Sequence, residues 1–388
     1  MSSKKKIILI SSIAGAVLLL AAIITTVCLI RKKIADRTVR VAFYGLSEEI
    51  CTVLQEQMPK EDKIKLQFDL IPDSDFDPAV ISKKYDMLFT WKGEVTDFLA
   101  DSAQLIPEKI LNSMPYSLRN KKCVPVLLDH CELAFRKDLL GKEEPPYSFK
   151  DFETYLNSAK NKVFSPFFCT GADDRILIDL VGALVEARGG LKAYKTLIQE
   201  LRSAESLEDV LDKELDGITL REILDMLADW PDQGLTHPSW YNGVSDDLIF
   251  FADNKQLGVF FTLLSEHRNI QYNVIKNFKA SLMPPDVSAS NYGIIAPSVS
   301  VMLLSDNGNS RRFLSEYFSL DAQQILSDKT KLAPVHYQAQ AYDKLSDDVR
   351  YWAASCAGGA QPDLYYAVYQ RKSKELEKIC SEIRNYVR

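Results

Sequence analysis

The sequence predicts an α/β protein built as two lobes, and three observations support that prediction. The chain has 388 residues, 46% of them hydrophobic and 10% aromatic, which is globular in composition and too long for one small core. From residue 39 onward, segments typical of strands alternate with segments typical of helices. Further along, two extended apolar pieces at 124–128 and 133–135 flank Asp129 and His130.

The first lobe begins with a short strand predicted at 39–44. Ser47 is the expected N-cap of a helix at 48–58, because a serine hydroxyl accepts a hydrogen bond from a free N–H group of the first turn. Residues 63–71 alternate between apolar and polar side chains, as in a half-buried strand, and 85–91 form another apolar strand. This order of strand, helix, strand, connection and strand is typical of a doubly wound lobe.

The remainder of the chain continues the mixture of helices and strands. Ser148 is expected to cap a helix at 149–158, and Gly189 with Gly190 to end an apolar helix that begins at residue 176. The other predicted strands lie at 164–170, 258–264 and 292–296, and the other predicted helices at 191–229, 246–252, 311–320, 322–327 and 364–387.

Residues 7–30 form an uncharged stretch between basic flanks at 4–6 and 31–33. As a helix, this stretch is about 36 Å long and can cross a hydrocarbon core of about 30 Å. Because the apolar part of a cleaved signal peptide is usually only about 7–15 residues, we predict a retained transmembrane anchor followed by a linker at 31–40. A cleaved signal, and attachment of a lipid to Cys28, remain open alternatives.

Charge and cysteine content exclude several classes of function. The formal net charge is -6, and no run rich in Lys and Arg follows residue 40, which argues against binding of nucleic acid. None of the seven cysteines forms a CxxC pair, so we expect buried free thiols rather than a disulfide framework. Cys123, His130 and Cys131 lack a fourth ligand at metal-site spacing, so we predict neither a metal nor a cofactor.

Four stretches of the body, taken in order, resemble a known protein family. They are 121–140 with Pro125, Asp129 and RKDL at 136–139, 145–152 with Ser148-Phe149 in place of Thr-Trp, 292–296 (YGIIA) with the helix at 311–318, and 323–334 (QQILSDKTKLAP). Together they resemble the extracytoplasmic solute-binding proteins of ATP-driven importers, in the branch that includes maltose-binding protein. The resemblance covers residues 40–388. The stretch 254–261 (NKQLGVFF) departs from it, since the family's Gly-x-Ala-Met is missing there.

The resemblance implies a two-lobed, periplasmic-binding-protein-like fold of type II with the ligand cleft between the lobes. Lobe 1 would comprise 41–129 and about 282–330, and lobe 2 would comprise 130–281 and about 331–388. The body would lie outside the cytoplasm, anchored by the transmembrane helix, so that residues 1–6 form a cytoplasmic tail. The implied function is capture of a sugar or oligosaccharide and its delivery to the permease subunits of an ABC transporter.

The sequence carries no motif of a known catalytic site. A nucleophile elbow, a Walker loop, GxGxxG and HExxH are all missing, and the four histidines are scattered without a Ser-His-Asp arrangement. We therefore predict a binding protein and not an enzyme. Two alternatives remain open: a sensing module that uses the same fold without transport, and a non-sugar ligand such as a polyamine or a peptide.

Candidate ligand contacts are aromatic and acidic residues, because a sugar ring has an apolar C–H face and a rim of hydroxyl groups. The resemblance matches Trp91 to the aromatic after the third strand and Asp129 to the acidic residue at the first crossing between lobes. It places Phe167, next to Phe168, near the aromatic contact of the second lobe, and Trp352 near a late aromatic contact. Two adjacent strand residues point to opposite faces, so only one of the two phenylalanines can face the cleft.

Three further candidates follow from their position in the chain. Tyr44 ends the first strand, and ligands of open α/β sheets lie beyond the carboxyl ends of the strands. Trp240 and Tyr241 belong to a second-lobe loop that is expected to reach the cleft. The competing interpretation of these aromatic residues, and of Trp91, is core packing, and for Asp129 it is a capped or solvated hinge acid.

Overall fold

The computed structural model describes residues 37–58, 64–286 and 291–388, and these form two α/β lobes. In chain order their strands are β1 (Thr38–Tyr44), β2 (Lys65–Ile71), β3 (Met87–Trp91), β4 (Val124–Leu128), β5 (Cys131–Arg136), β6 (Ser165–Cys169), β7 (Leu257–Leu263), β8 (Phe278–Ser281), β9 (Ile294–Ile295), β10 (Ser298–Leu303), β11 (Ala333–Pro334) and β12 (Ala360–Gln361). Their α-helices span Glu48–Glu56, Pro78–Lys84, Glu94–Leu99, Glu108–Leu111, Lys137–Leu140, Phe149–Ala159, Asp174–Ser203, Glu208–Leu211, Leu220–Asp232, Ser245–Asp253, Leu264–His267, Tyr272–Ile275, Gly308–Tyr317, Leu320–Thr330, Lys344–Ser355 and Ser373–Tyr386.

The first lobe is built on a six-stranded sheet of order β11-β4-β10-β3-β1-β2. Strand β1 pairs in parallel with β2 and β3, so that Tyr44 lies opposite both Ile71 and Thr90. Strand β10 runs antiparallel to β3 and β4. Because β1, β2 and β3 are parallel, their carboxyl ends meet at one edge of the sheet, where a ligand is expected in such folds.

The second lobe is built on a four-stranded sheet of order β6-β7-β5-β8. Strand β5 is antiparallel to both neighbours, and β6 is parallel to β7. All residues of β5, β6 and β7 are buried. Because both faces are buried, the apolar residues of these strands do not alternate with exposed polar ones, and even Glu132 and Arg136 of β5 are buried, so the sequence does not show which side of each strand faces the cleft.

The chain passes between the lobes at three places. Strand β4 leads into β5 through Asp129 and His130, where the family resemblance implied a crossing. The second connection runs from β8 to β10 and includes β9, and the third includes β12, which pairs with β9 in parallel. The predicted two-lobed α/β fold is therefore confirmed.

The third crossing corrects the predicted lobe boundary at residue 331. Strand β11 pairs with β4 in the first sheet, and Val349 and Ala353 of the next helix lie in the first-lobe core. The chain enters the second core only after Ala360, with Leu364 and Val368. Strand β11 is two residues long, which is too short to give a recognisable sequence pattern.

Local sequence signals set several helix ends. Ser47 and Ser148 are N-caps as predicted, and each hydroxyl accepts a hydrogen bond from a backbone N–H of the first turn. Gly190, with φ of 83° and ψ of -176°, is non-helical and divides the range Asp174–Ser203 into two helices, so the predicted helix end is confirmed. The single C-terminal helix predicted at 364–387 is instead a π-helix, Tyr365–Tyr369, followed by a separate α-helix.

The predicted membrane anchor at 7–30 lies outside the described residues, as does most of the linker at 31–40. Along the parts of the chain that the structure describes, no helix combines the length and apolar character needed to cross a bilayer.

The cysteines of the described residues are free thiols, as expected. Cys356 is partly exposed, and the other five are buried, namely Cys51, Cys123, Cys131, Cys169 and Cys380.

Gly93 lies where the two lobes touch most closely. A Cβ atom at this position would stand 2.1 Å from the carbonyl oxygen of Tyr366 in the π-helix. Lys92 Nζ beside it donates to the carbonyl of Ala360 at 3.1 Å, which fixes the same pair of segments. The close approach of the two backbones therefore requires glycine at position 93.

We expect Gly93→Ala to destabilise the protein by about 1–3 kcal/mol, because a backbone oxygen cannot move aside as a flexible side-chain end can. Calorimetric unfolding measures this loss, and X-ray scattering of the same sample measures the separation of the lobes. Gly308→Ala is the matched control, since a Cβ there meets no atom within 4 Å. Equal stability of Gly93→Ala and Gly308→Ala would contradict the conclusion that position 93 requires glycine.

Glu186 is a buried carboxylate beside the second crossing. Its Oε1 accepts a hydrogen bond from the Gly293 N–H at 2.7 Å. Burial raises the pKa of Glu186 to about 8, although this hydrogen bond opposes the increase. The folded protein thus holds a proton that the unfolded chain releases near pH 4.5, so Glu186 makes stability fall as pH rises between these two values.

We expect Glu186→Gln to remove a decline of up to about 1.4 kcal/mol per pH unit between about pH 5 and pH 8. The free energy of unfolding, measured in urea at three pH values in this interval, gives the slope. Glu377→Gln, at an exposed position, should retain the slope of the unmodified protein. A variant at 186 with the unmodified slope would show that Glu186 is ionised throughout.

Candidate ligand-binding cleft

A cavity of about 380 Å³ lies between the two lobes, and we call it the inner cavity. The first lobe contributes Gly45 and Ser47, just after β1, and Trp91, the last residue of β3. The second lobe contributes Arg175 and Tyr366, together with residues 265–269 after β7. The cavity is thus at the sheet edge where the carboxyl ends of β1 and β3 meet, which is the position expected for a ligand of this fold.

Trp91 is the aromatic centre of the inner cavity. Its ring is stacked on the ring of Tyr366 across the lobe boundary, with centroids 4.8 Å apart and planes at 12°. The guanidinium of Arg175 lies 4.7 Å from the centre of the Tyr366 ring and 5.9 Å from that of Trp91. The two rings are only 6% and 7% exposed because each covers a face of the other, so they become a flat platform for a ligand only when the lobes separate.

The local backbone holds these groups in place. Arg175 is in the first turn of the helix Asp174–Ser203, whose N-cap Asp173 accepts from the Arg175 N–H at 2.8 Å. Tyr366 is in the π-helix, and its backbone N–H donates to Asp363 at 2.9 Å. Asp179 of the long helix accepts from the N–H of Tyr365 at 3.0 Å, so helix and π-helix are joined directly. π-Helices occur frequently at functional sites.

Three acidic groups surround Arg175 behind the wall of the inner cavity. Arg175 Nη2 donates to Asp363 at 3.1 Å, its Nε lies 3.7 Å from Asp179, and its charge also acts on Asp129. Burial raises the pKa of Asp179 well above its ordinary value, and the neighbouring Asp363 charge adds to that increase. Burial raises the pKa of Asp363 and of Asp129 as well, although Arg175 opposes the effect in both.

Asp129 is a hinge residue that lies behind the wall of the cavity. It is almost fully buried and accepts hydrogen bonds from the backbone N–H and the hydroxyl of Ser265, at 3.0 and 2.6 Å. The His130 N–H donates to it as well, at 2.8 Å. Ser265 lines the cavity whereas Asp129 does not. The prediction of Asp129 at the crossing is therefore right in position, but its carboxylate binds the protein itself.

Hydrogen bonds and ion pairs connect the lobes on both sides of the cavity. On one side, Gln370 Nε2 donates to Thr90 Oγ1 at 2.9 Å. On the other side, Arg268 forms a two-pronged ion pair with Asp343, in which Nη2 and Oδ1 are 2.7 Å apart, and also donates to Ser346 Oγ at 2.9 Å. These contacts close the cavity without joining the two hydrophobic cores into one.

Tyr44 is fully buried in the first lobe and does not line the inner cavity. Its ring packs on Phe76, with centroids 4.3 Å apart, on the sheet face opposite to Phe43. Tyr44 lies at the sheet edge predicted from its position at the end of β1, but the next residue, Gly45, is the one that lines the inner cavity.

Phe167 is a core residue in the structure, which corrects the prediction that it contacts the ligand. Its ring meets the edge of Trp230 at a centroid distance of 5.2 Å, and its neighbour Phe168 meets Phe251 at 5.4 Å. Both phenylalanines are buried. The reason is that the second sheet is covered on both faces, so strand alternation directs neither residue into the cleft.

The remaining three predicted contacts also lie away from the inner cavity. Trp240 is fully buried in the second-lobe core. Tyr241 lines a separate surface depression with Asn242 and Arg384. Trp352 packs against His130 of the hinge, with centroids 5.2 Å apart. Large aromatic side chains fill cores as readily as they bind sugars, so residue type alone does not separate the two roles.

The structure adds residues that the sequence did not reveal, chiefly Arg175, Tyr366 and Arg268. A signal for Arg175 exists, because Asp173 and Asp174 mark a helix start directly after β6, at the edge that faces the cleft. Tyr366 has no such signal, since its segment has the composition of an ordinary helix and the π-helical geometry arises only from its contacts.

No protein-family model and no curated protein matches this sequence. Solved structures match it over most of its length. The bacterial solute receptor AcbH, described as exclusively preferring β-D-galactopyranose, superposes with a TM-score of 0.69 at 12% identity, over 90% of this chain and 96% of AcbH. The binding protein MsmE of Bacillus subtilis, in an open conformation, gives 0.68 at 12%, over 90% and 96%. RafE of Streptococcus pneumoniae gives 0.60 at 13%, over 91% and 99%.

These matches define the fold class. The chain has the two-lobed fold of the solute receptors, with its inner cavity between the lobes. The resemblance stated from the sequence is confirmed at the level of the fold, although fewer than one residue in six is identical to any of the three structures.

We expect Arg175→Leu to destabilise the protein by about 3–5 kcal/mol at neutral pH, because it leaves the buried carboxylates beside it without their cation. The loss should shrink as pH falls and those carboxylates take up protons. Urea denaturation at pH 7 and pH 4.5 measures both effects. Arg312→Leu, which changes an exposed arginine of the helix Gly308–Tyr317, is the comparison. A pH-independent loss would show that the acidic cluster is already neutral.

Proposed function

We propose that this protein is an extracytoplasmic solute-binding protein that captures a carbohydrate between its lobes and delivers it to the permease of an ABC transporter. The observation that carries the proposal is the inner cavity, which combines the Trp91–Tyr366 stack with Arg175 and Ser265 at the lobe boundary. Flat rings suit the C–H face of a sugar, and the surrounding polar groups suit its hydroxyl rim. A cavity of about 380 Å³ is at the small end of the usual range for ligand sites.

Lobe closure explains how such a site binds and releases its ligand. The lobes have separate hydrophobic cores and, apart from the Trp91–Tyr366 stack, meet through hydrogen bonds and ion pairs around the cavity. Polar contacts of this kind are exchanged with water at small net cost, so hinge opening at the three crossings is accessible. A ligand that touches both lobes stabilises the closed form by its differential affinity.

The names of the matched proteins support the class of ligand. One is described with β-D-galactopyranose and another in complex with raffinose, and a third is named as a chitin oligosaccharide binding protein. Delivery to a permease, and a body anchored outside the cytoplasm through residues 7–30, complete the proposal. These two parts rest on the sequence, because the predicted anchor lies outside the described residues.

A thermal-shift panel of mono- and oligosaccharides tests the ligand class, with polyamines and short peptides as the competing classes. We expect at least one carbohydrate to raise the unfolding temperature in a dose-dependent way. Isothermal calorimetry of the best candidate then gives its affinity. A shift with a polyamine or peptide, and with no sugar, would overturn the proposal.

We expect Trp91→Ala to weaken binding of the best sugar at least tenfold, because the mutation removes one ring of the platform. Trp352→Ala is the matched control, since it removes a tryptophan that packs on the hinge outside the inner cavity. Calorimetry on both folded variants compares affinity with stability. Unchanged affinity in Trp91→Ala would show that Trp91 only joins the lobes.

A further inference from the structure

A second cavity, of about 890 Å³, adjoins the inner cavity, and we call it the outer groove. Arg268 and Lys331 line both spaces and stand at the boundary between them. The walls of the outer groove come from both lobes, with residues 267–280 on one side and 342–348 on the other. The Arg268–Asp343 ion pair closes this boundary in the structure, so a ligand longer than one sugar unit extends from the inner cavity into the outer groove only once that ion pair opens.

The outer groove is cationic. Six of its side chains are basic and two are acidic, namely Lys137, Arg268, Lys276, Lys279, Lys331 and Lys344, against Asp343 and Asp348. Glu144, the ion-pair partner of Lys279, adds one more carboxylate, which leaves six cations facing three acids. The chain as a whole has a net charge of -6, so this excess of positive charge is a local feature and not a reflection of composition.

Exposed aromatic rings lie among these cations. The side chain of Tyr272 is 79% exposed and that of Tyr342 is 46% exposed, and both line the outer groove. The Arg268 guanidinium lies over the Tyr342 ring, 5.4 Å from its centre. Exposed rings beside ammonium and guanidinium groups offer a stacking face for a sugar ring and a charge partner for a carboxylate on that ring.

The inner cavity differs because most of its cations already have carboxylate partners. Arg175 bonds to Asp363, Arg268 to Asp343 and Lys329 to Glu56. An anionic ligand group would have to displace these carboxylates, whereas a neutral ring with hydroxyl groups would not. The two spaces therefore select different units of one ligand.

We propose that the ligand is an acidic oligosaccharide of at least two units, in which a neutral sugar occupies the inner cavity and a uronic acid unit occupies the outer groove. This inference rests on the proposed function and specifies its substrate class. The carboxylate of the outer unit pairs with Lys137, Lys276 or Lys331, and its ring stacks on Tyr272 or Tyr342.

Calorimetry with two acidic probes and their carboxyl-reduced forms tests the proposal. The probes are a hyaluronan tetrasaccharide and a xylotetraose that bears glucuronic acid, since both combine neutral and acidic units. We expect at least one acidic probe to bind ten times more tightly than its reduced form, and this advantage to shrink as salt is raised. Equal binding of acidic and reduced forms, or preference for the reduced forms, would overturn the proposal.

The double variant Lys137→Gln/Lys276→Gln assigns the effect to the outer groove. We expect it to lower affinity for the acidic probe about tenfold while leaving the reduced form unaffected. Lys150→Gln/Lys162→Gln, at exposed second-lobe positions away from the groove, is the matched control. Tyr272→Ala is a second variant, expected to weaken binding of both tetrasaccharides. If affinity for the acidic probe fell in the control variant but not in the groove variant, the uronic acid unit would not bind in the outer groove.

The outcomes separate this inference from the proposed function. Binding of neutral sugars from the thermal-shift panel, with no preference for any acidic probe, overturns the inference and keeps the carbohydrate-binding function. Failure of every sugar, neutral or acidic, overturns both.

Discussion

The guanidinium of Arg175 connects the parts on which the cleft depends. It bonds to Asp363, stands beside the buried Asp179, and lies over the ring of Tyr366, which in turn stacks on Trp91 of the other lobe. One cation thus fixes a long helix, the π-helix and the end of β3 relative to one another. Because buried carboxylates are costly without a counter-charge, the geometry of the site and the stability of the second lobe depend on the same group.

The lobes themselves are joined in a different way. Each has its own apolar core, and beside the Trp91–Tyr366 stack the boundary is made of directional polar contacts, such as those of Arg268 with Asp343 and of Asp129 with Ser265. Apolar burial would hold the lobes closed irrespective of ligand, but hydrogen bonds and ion pairs exchange readily with water. A fold with two separate cores and a largely polar boundary between them is suited to opening at its hinge and closing on a ligand.

Charge is divided unevenly along the space between the lobes. Near Arg175 the carboxylates outnumber the cations, and beyond Arg268 the lysines outnumber the carboxylates. The overall acidity of the chain, with a net charge of -6, gives no indication of this division. It arises because segments far apart in sequence, such as 267–280 and 342–348, bring their basic side chains to one groove.

By itself, the sequence determined the two-lobed α/β pattern and the position of Trp91 at a strand end, because periodicity and strand order fix which edge of a parallel sheet a residue reaches. The hinge at Asp129 was implied by the family resemblance. It did not separate Trp91 from Phe167, Trp240 and Trp352, since a large apolar ring is equally suited to a core and to a sugar platform. Only the tertiary structure decided that choice and brought Arg175 to Tyr366, because those contacts join segments whose proximity no local pattern records.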